Sequence, residues 1–247
     1  MLKEERQDFI IKQINLHNKV LSSDLSIKLN VSEDTVRRDL NELAESGKIL
    51  KVHGGALSKS FHYPFQANDV YAKESKKHIA QKVIQLLKDD MTVLVGGGTT
   101  MIEVARLIPD GLKCTFFTVS PLVALELAEH NSVTVILLGG QLSKNAQINI
   151  GAQVVNQLYE IKVDLCILGA NSISLEEGVT DSDWEVVQVK KAMMRSAKKV
   201  VIMSIAEKLN SSQDLKVCDL SNVHYLVTDL KPSIPSLKGY TKAVTVL

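Results

Sequence analysis

The chain has few cysteines, and they form no pattern. Its only three, Cys114, Cys166 and Cys218, are far apart in a chain of 247 residues, without a CxxC pair or other metal-ligand spacing. This argues against a disulfide framework and against a metal site. We interpret all three as buried, reduced thiols of a cytosolic protein, and the sequence indicates no cofactor.

Long apolar runs are also missing. Residues 1–7 lead into no apolar segment of the signal-peptide kind, and no run reaches the roughly 20 residues of a membrane helix. No internal repeat or low-complexity tract is present. We therefore expect a soluble, cytoplasmic protein that does not associate with membranes.

Neither sign of charge dominates the composition. The formal net charge of +1 excludes a generally basic nucleic-acid coat. Cationic side chains are instead concentrated in one short stretch, so local contact with nucleic acid stays compatible with the composition. That stretch contains Arg37, Arg38, Lys48, Lys51, His53 and Lys59.

The most informative local pattern lies at residues 31–43. Ser32 is a favoured N-cap type, and acidic residues occupy the following turn. Val36, Leu40 and Leu43 recur at i, i+4 and i+7, which predicts one apolar helix face. The remaining surface carries polar and guanidinium side chains, the types that read base edges and bind phosphates in a major groove. A solvated amphipathic helix is the alternative for this segment taken alone. The outward residues are Thr35, Arg37, Arg38 and Asn41.

The flanking segments extend this pattern into a helix-turn-helix with a wing. Residues 2–17 predict a first helix, and residues 20–31 a second, short amphipathic helix. Asn30 tolerates the left-handed backbone of a tight turn between the second helix and the third. Gly47 suits the position after a helix end. Residues 49–53 then alternate at strand period before a turn at Gly54-Gly55, which predicts a basic wing.

Three separated elements resemble the amino-terminal domain of DeoR-type bacterial transcriptional regulators: Val31-Ser32, residues 35–40 and residues 53–56. The resemblance implies a winged helix-turn-helix over residues 1–58 and binding to double-stranded operator DNA. The residues expected to contact DNA are Ser32, Thr35, Arg37, Arg38, Asn41, Lys48, Lys51 and His53.

The pattern changes after residue 58. Residues 59–72 include Ser60, Pro64 and Asn68-Asp69, lose periodicity, and predict a linker. From Lys73 onward, helical segments alternate with short apolar runs, which predicts a Rossmann-like α/β domain with a mainly parallel sheet over residues 73–247. The predicted strands are residues 92–95, 114–119, 133–138, 163–168, 200–203 and 223–228.

A glycine-rich turn marks the candidate ligand site. Gly96-Gly97-Gly98-Thr99-Thr100 follows one predicted strand and precedes a helix, where ligands bind in such sheets. Glycines let backbone N–H groups converge on an anion, and a helix N-terminus adds partial positive charge. The turn is neither a Walker A loop nor GxGxxG, and a tight turn with Thr as N-cap remains the alternative. The candidate effector-binding residues are Gly97, Gly98, Thr99, Thr100, Ser120, Gly140, Gln141, Lys144, Thr180, Glu185 and Lys208.

The resemblance to DeoR-type regulators extends to their sensor domain, which is related in fold to ribose-phosphate isomerase and glucosamine-phosphate deaminase. It implies control by a phosphorylated sugar or a related metabolite. Gly96, Val119 and Ile205 depart from the family pattern, which has an acidic residue, an Asn and an Asp there. The phosphate half of the site is thus retained, whereas groups that could hold sugar hydroxyls are missing. The residues that carry the resemblance are Gly98-Thr99-Thr100, Gly139-Gly140, Gly151, Gly178–Thr180, Glu185, Lys190 and Lys208.

The sequence as a whole predicts a transcriptional regulator, specifically a repressor of carbohydrate-metabolism genes. One alternative is an isomerase-like enzyme acting on a sugar phosphate, because the fold permits it. The missing Asp at position 205 argues against that enzyme. A second alternative is a DNA-binding protein whose sensor domain only dimerises. One recognition helix buries too little surface for high specific affinity, so we expect a homodimer or higher homo-oligomer on paired half-sites.

Overall fold

The computed structural model describes residues 1–59 and 70–247. The chain divides into two compact units, Met1–Tyr71 and Ala72–Leu247. The linker residues named above, Ser60, Pro64 and Asn68-Asp69, lie outside the described residues. No described helix is long and apolar enough to cross a membrane, and the described residues contain no cluster of metal-ligating side chains.

The first unit is a winged helix-turn-helix. A core of apolar side chains, including Ile10, Ile14 and Leu40, joins its three helices to a small antiparallel sheet. The sheet has the order β1-β3-β2. The elements are α1 Lys3–His17, β1 Lys19–Leu21, α2 Ser22–Leu29, α3 Glu33–Glu45, β2 Ile49–Val52 and β3 Gly55–Ser58.

Left-handed residues terminate both helices of the helix-turn-helix, as the sequence predicts. Asn30 has φ 51° after α2, and Gly47 has φ 71° after α3. The Gly47 N–H donates to the Ala44 carbonyl at 2.9 Å, and the Lys48 N–H donates to the Leu43 carbonyl at 3.0 Å. This pair of bonds is a Schellman motif, which satisfies carbonyls at the end of α3.

The predicted position of His53 in a strand is wrong. Val52 pairs with Gly55, so His53 and Gly54 form a two-residue hairpin turn between β2 and β3. Gly54 has φ 75°, and a Cβ added to Gly55 would lie 2.0 Å from the carbonyl oxygen of Val20 on β1. Close packing against β1 therefore requires Gly55 in the sheet, and the turn falls one residue earlier than predicted.

The second unit is built on a seven-stranded parallel sheet with the order β15-β14-β12-β9-β4-β5-β6. Two small antiparallel sheets accompany it, β7-β8 and β10-β11-β13. The helices are α4 Lys73–Ile84, α5 Thr99–Arg106, α6 Pro121–Ala128, α7 Ala152–Tyr159, α8 Trp184–Arg195 and α9 Tyr240–Ala243. The strands are β4 Thr92–Val95, β5 Thr115–Thr118, β6 Thr134–Leu137, β7 Gln141–Ser143, β8 Ile148–Ile150, β9 Val163–Gly169, β10 Ser172–Ser174, β11 Gly178–Asp181, β12 Ala197–Met203, β13 Leu215–Cys218, β14 Tyr225–Val227 and β15 Thr245–Val246.

The order of the strands reverses between β4 and β9. From β4 the chain runs outward through β5 to β6, then returns to place β9 on the other side of β4 and continues through β12. Such a topological switch point opens a crevice at the carboxyl ends of the two strands. The fold therefore places its natural ligand crevice beside the Gly-rich turn that follows β4.

One helix is shorter than its sequence pattern predicts. Val186, Val189, Met193 and Ala197 recur at helical spacing and predict a helix over residues 183–198. In the structure α8 ends at Arg195 and residues 197–203 form β12. Ala197 pairs with Val163, so the strand begins at the first position where β9 offers backbone partners. Pairing with a central strand therefore overrides local helical preference at residues 197 and 198.

Two of the three thiols are buried as predicted, whereas Cys218 is only partly buried. Burial raises the pKa of Cys166 far above its usual range, and it raises the pKa of Cys218 to about 11, with the Asp219 carboxylate adding to the effect. A thiol of raised pKa is a poor nucleophile at neutral pH. These cysteines therefore act as apolar side chains.

Candidate functional sites

The recognition helix begins with a complete side-chain cap. The Ser32 hydroxyl accepts a hydrogen bond from the Thr35 N–H at 3.2 Å, and the two hydroxyl oxygens lie 2.9 Å apart. Val36, Leu40 and Leu43 are buried, as the i, i+4, i+7 pattern predicts. The polar face of α3 is consequently turned away from the core of its own domain.

Two arginines stand exposed on that face. Arg37 is 61% exposed and contacts Glu33 at 3.4 Å and Asp34 at 3.6 Å. Exposed pairs of this kind contribute about 0–1 kcal/mol, so DNA phosphates or base edges can replace the carboxylates at little cost. Arg38 is exposed and forms no ion pair with the described residues. Both guanidinium groups are available to a partner.

The wing is tied to the recognition helix through a side-chain contact. The Lys51 ammonium on β2 donates to the Asn41 side-chain oxygen on α3. Lys48 and His53 are exposed at the two ends of β2. All eight predicted DNA-binding residues thus lie on α3, its cap or the wing, and all except the half-buried Thr35 are exposed.

The carboxyl edge of the parallel sheet brings the main effector candidates together. The strands β12, β9, β4 and β5 are neighbours in that order, and all run parallel. Residues that follow these strands therefore lie side by side, which places Lys208, Ala170, the Gly-rich turn and Ser120 along one edge. A Cβ added to Gly97 would lie 3.4 Å from the Cβ of Ser120 and 2.5 Å from a methyl carbon of Ile148. Only glycine fits there.

The Gly-rich turn presents an uncapped helix N-terminus. Gly98, not a threonine, is the N-cap of α5, with φ 102°, and no side chain caps the helix. The first N–H groups of a helix have no intrahelical acceptor, so those of Thr99 and Thr100 can bind an anion. The alternative of a tight turn with Thr as N-cap does not match this geometry.

Lys208 reaches from one strand end to the next. It lies on a short 3₁₀ turn, Ala206–Lys208, after β12, and its ammonium donates to the carbonyl of Ala170 after β9 at 3.4 Å. Burial lowers the pKa of Lys208 to about 7, with the positive charges of Lys76 and Lys190 adding to the effect and Asp181 opposing it. Because it contacts the carbonyl of Ala170 just after β9, the Lys208 ammonium lies close to the switch point between β4 and β9.

Comparison with known proteins identifies both halves of the chain. The model of the DeoR-like helix-turn-helix domain matches residues 6–61, and that of the DeoR C terminal sensor domain matches residues 72–230. The chain belongs to the DeoR family of transcriptional regulators.

Full-length relatives agree with this assignment. The chain is 32% identical to the HTH-type transcriptional regulator GolR of Listeria innocua, over 94% of this chain and 92% of that protein. It is 30% identical to the HTH-type transcriptional repressor GlcR of Bacillus subtilis, over 94% and 91% of the two chains. It is 28% identical to the glycerol-3-phosphate regulon repressor of Escherichia coli K12, over 98% and 96%. This DeoR-family protein is thus a DNA-binding transcriptional regulator.

Solved structures resemble the chain only distantly. Ribose 5-phosphate isomerase A of Methanocaldococcus jannaschii superposes with a TM-score of 0.40 at 17% identity, covering 54% of this chain and 53% of that one. The translation initiation factor eIF-2B of Pyrococcus horikoshii gives 0.44 at 14% identity, covering 80% and 69%.

Several predicted effector residues of the DeoR-family sensor have structural roles. Ser120 is buried, caps α6 through the Val123 N–H at 3.5 Å and donates to the Gln147 carbonyl at 3.2 Å. Thr180 is buried and accepts from the Gln213 N–H at 2.8 Å. A Cβ added to Gly140 would lie 2.4 Å from a methyl carbon of Val154, so close packing requires this glycine. The exposed residues Gln141, Lys144 and Glu185 make no contact with Lys208 among the described hydrogen bonds and ion pairs.

An ion pair between Lys190 and Asp181 lies beside Lys208. The effector-binding candidates do not include either residue, although Lys190 is one of the residues that carry the family resemblance. The Lys190 ammonium donates to the Gly169 carbonyl at 3.0 Å and to the Asp181 carboxylate at 2.7 Å. Asn171 and the Ser182 N–H donate to the other oxygen of Asp181 at 3.3 and 2.8 Å. Although burial opposes ionisation, the Lys190 ammonium and these hydrogen bonds hold the pKa of Asp181 below its usual value.

Lys76 on α4 was also missed, although the sequence carries a signal for it. It lies on the same helical stripe as Ile79, Ala80 and Val83, and all four residues are buried. Burial lowers the pKa of Lys76 to about 8, and the Glu103 carboxylate opposes this shift. A lysine on an apolar helix face needs a polar or ionic partner when it is buried. Its place on the apolar stripe therefore marks Lys76 as a candidate site residue in the sequence alone.

The three positions that depart from the family pattern lie in apolar surroundings. Val119 and Ile205 are buried, with 0% and 4% of their surfaces exposed. A Cβ added to Gly96 would lie 3.1 Å from a methyl carbon of Leu168. These three positions thus supply no carboxylate or amide oxygen to a ligand.

Proposed function

We propose that this DeoR-family regulator represses carbohydrate-metabolism genes and that a phosphorylated small molecule controls its affinity for DNA. In this proposal residues 1–58 bind double-stranded operator DNA, residues 59–72 connect the domains, and residues 73–247 bind the effector. One observation supports an effector site in residues 73–247: the uncapped N-terminus of α5 and the Lys208 ammonium both lie at the switch point of the sheet. Both features favour an anion.

The named relatives support the choice of regulated genes. The Escherichia coli relative is a repressor of the glycerol-3-phosphate regulon, and the Bacillus subtilis relative is also named a repressor. The residues at positions 96, 119 and 205 leave few groups for sugar hydroxyls, so we expect weak discrimination among sugar phosphates. Inorganic phosphate belongs among the compounds to be tested.

We further propose that the protein acts as a homodimer or higher homo-oligomer. One recognition helix reads a few base pairs, and high specific affinity requires a second half-site bound by a second copy. Light scattering at micromolar concentration should give at least twice the mass of 27.2 kDa. A monomer, with and without bound DNA, would contradict this part of the proposal.

Operator binding and its response to ligand form the central test. Operator sequences would be selected from a random DNA library with the full-length protein. Their affinity would then be measured with glycerol 3-phosphate, hexose phosphates and inorganic phosphate. We expect at least one phosphate compound to change the affinity, with a coupling of about 1–3 kcal/mol. If calorimetry detects no binding of any of these compounds, the sensor domain only dimerises the protein.

An isomerase-like activity is the remaining alternative. Isomerisation needs a base beside a substrate carbon. Position 205 carries a buried Ile, and among the described histidines His130 and His224 precede β6 and β14, at the edge opposite the switch point. Incubation with the same sugar phosphates should therefore produce no isomer, and turnover would identify an enzyme.

A further inference from the structure

Three lysines from three different elements lie near one another beside β9. Lys190 on α8 donates to the Gly169 carbonyl, and Lys208, in the turn after β12, donates to the Ala170 carbonyl. Lys76 on α4 lies near Lys208. Lys208 lies close enough to the other two for each to destabilise its charged form. Placing like charges together in a partly buried site costs free energy unless a counter-charge is present.

The carboxylates near these lysines are shared with other groups. Asp181 is paired with Lys190 and accepts two further hydrogen bonds. Glu103, the carboxylate near Lys76, also forms an ion pair with Arg106 at 3.1 Å. Lys208 forms no ion pair with the residues that the structure describes, and its ammonium contacts only a carbonyl. Around Lys208, the described side chains therefore carry more positive than negative charge, which favours an anion.

The side chain of Asn171 supplies a second, independent sign of a ligand. Its amide nitrogen donates to Asp181, which determines the orientation of the amide group. Its oxygen, Oδ1, is buried and has no hydrogen-bond partner among the described residues. Buried acceptors are normally paired, so an unpaired one beside a cationic cluster marks a position for a donor from a bound molecule.

We propose that Lys76 and Lys208 hold the anionic group of the effector and that Asn171 accepts a hydrogen bond from a hydroxyl of the same molecule. This inference rests on the proposed effector site and adds its ligand class, a phosphate monoester with a free hydroxyl. The N-terminus of α5 follows β4, the strand next to β9, at the same edge of the sheet. The apolar side chains at positions 119 and 205 leave Asn171 as the main group that selects a hydroxyl.

Binding of such a dianion takes up protons. In the free protein the pKa of Lys208 is lowered to about 7 and that of Lys76 to about 8, chiefly by burial. A bound phosphate stabilises both ammonium groups and raises both pKa values. Lys190 and Asp181 face Lys208, and Glu103 faces Lys76. The affinity for a phosphate ester should therefore fall as the pH rises from about 7 to about 9.

Calorimetry on the full-length protein tests the two lysines. Inorganic phosphate, ethyl phosphate and glycerol 3-phosphate would be titrated at pH 8 in two buffers that differ in ionisation enthalpy. We expect net proton uptake by the parent protein. Lys76→Met and Lys208→Met should each lower the binding affinity for all three compounds about ten- to a hundred-fold. Lys77→Met is the matched control, because Lys77 is the exposed neighbour of Lys76 on α4, and it should bind like the parent.

The role of Asn171 is tested by selectivity rather than by affinity alone. Asn171→Ala should bind ethyl phosphate about as well as the parent while losing the preference for glycerol 3-phosphate. A purely structural role, through the contact with Asp181, would weaken both esters equally. Thermal unfolding would establish that each variant is folded.

Three results would overturn the inference: no binding of any of the three compounds by the parent, binding without proton uptake, or equal affinity in Lys76→Met and parent. The proton measurement uses the parent protein alone, so it tests the inference even if a variant fails to fold. Operator affinity is measured separately. If the esters bind as expected but operator affinity does not respond, the proposed control of DNA binding fails while the anion site stands.

Discussion

Arg6 on α1 forms a two-pronged ion pair with Asp39 in the middle of the recognition helix. Arg6 Nε donates to one carboxylate oxygen at 2.5 Å, and Arg6 Nη2 donates to the other at 3.1 Å. The Asp39 side chain is 2% exposed and that of Arg6 is 14% exposed. Asp39 is the immediate neighbour of Arg38 in the sequence but points inward. This pair therefore joins α1 to the helix that carries the exposed arginines.

Breaking this pair should destabilise the DNA-binding domain. Arg6→Met leaves the Asp39 carboxylate buried without its cation, and removing one partner of a buried pair costs about 3–5 kcal/mol. Arg6 retains some contact with water, so we expect about 3 kcal/mol. Hydrogen exchange of the amides in residues 33–45 would measure the loss. Lys3→Met is the control, because the Lys3–Glu42 pair is 56% and 48% exposed and should contribute about 0–1 kcal/mol. Equal losses would contradict the structural role of Asp39.

The exposed arginines of α3 should determine operator affinity. Arg37→Ala or Arg38→Ala should cost about 1–3 kcal/mol if the guanidinium contacts a base in two places. The measurement is a gel shift with selected operator and with unrelated DNA. Lys12→Ala, an exposed cation on α1, serves as the control. Unchanged affinity in the double variant Arg37→Ala, Arg38→Ala would disprove the assignment of α3 as the recognition helix.

The wing should act through phosphates rather than bases. Lys51→Ala and His53→Ala should weaken binding to all DNA sequences alike. Removal of one phosphate contact lowers the slope of log affinity against log salt by about 1. Lys51 also loses its hydrogen bond to Asn41, so Lys51→Ala should allow more movement of the wing. Titrations at several salt concentrations distinguish this result from a sequence-specific loss.

Loss of the sensor anion site should uncouple effector from operator. Lys208→Met and Gly98→Val should bind operator like the parent, since neither residue lies in the DNA-binding domain, but should not respond to a phosphate effector. Lys208→Met removes a charge-assisted contact that typically contributes about 1.5–3 kcal/mol. In Gly98→Val, φ 102° adds backbone strain to the blocked anion approach. The exposed Lys238→Met is the control, and an equal response in Lys208→Met and parent would place the phosphate elsewhere.

The free sensor domain should become more stable as the pH rises from about 7 to about 8.5. The pKa of Lys208 is about 7 and that of Lys76 about 8, below the ordinary lysine value. The unfolded chain therefore binds more protons in this window, and the free energy of unfolding increases with pH. Above about pH 8.5 the unfolded thiols ionise. The raised pKa values of Cys114, Cys166 and Cys218 then oppose the trend.

Denaturant unfolding followed through Trp184 measures this effect. Trp184 is the only tryptophan and lies in the second unit, so its fluorescence reports on the sensor domain. Lys208→Met should reduce the dependence on pH between about 7 and 8.5. A slope equal to that of the parent would show that Lys208 is not protonated differently in the folded and unfolded states.

The sequence by itself determined the elements whose signals are local. Ser32, Asn30 and Gly47 mark helix ends through their own side chains or backbone preferences, and all three act as predicted. The apolar runs of the main parallel sheet are equally local, because strands buried on both faces consist of consecutive apolar residues. The Gly-rich turn followed from its place between such a run and a helix.

Only the tertiary structure decided which polar groups meet. Lys76, Asn171 and Lys190 belong to segments far apart in the sequence, and they approach Lys208 because β9 returns to the far side of β4. Strand order depends on non-local pairing, which no short pattern encodes. The same reason explains why Ser120 and Thr180, selected for their positions near strand ends, proved to have buried structural hydrogen bonds. A hydroxyl carries no local sign of the partner that it will find.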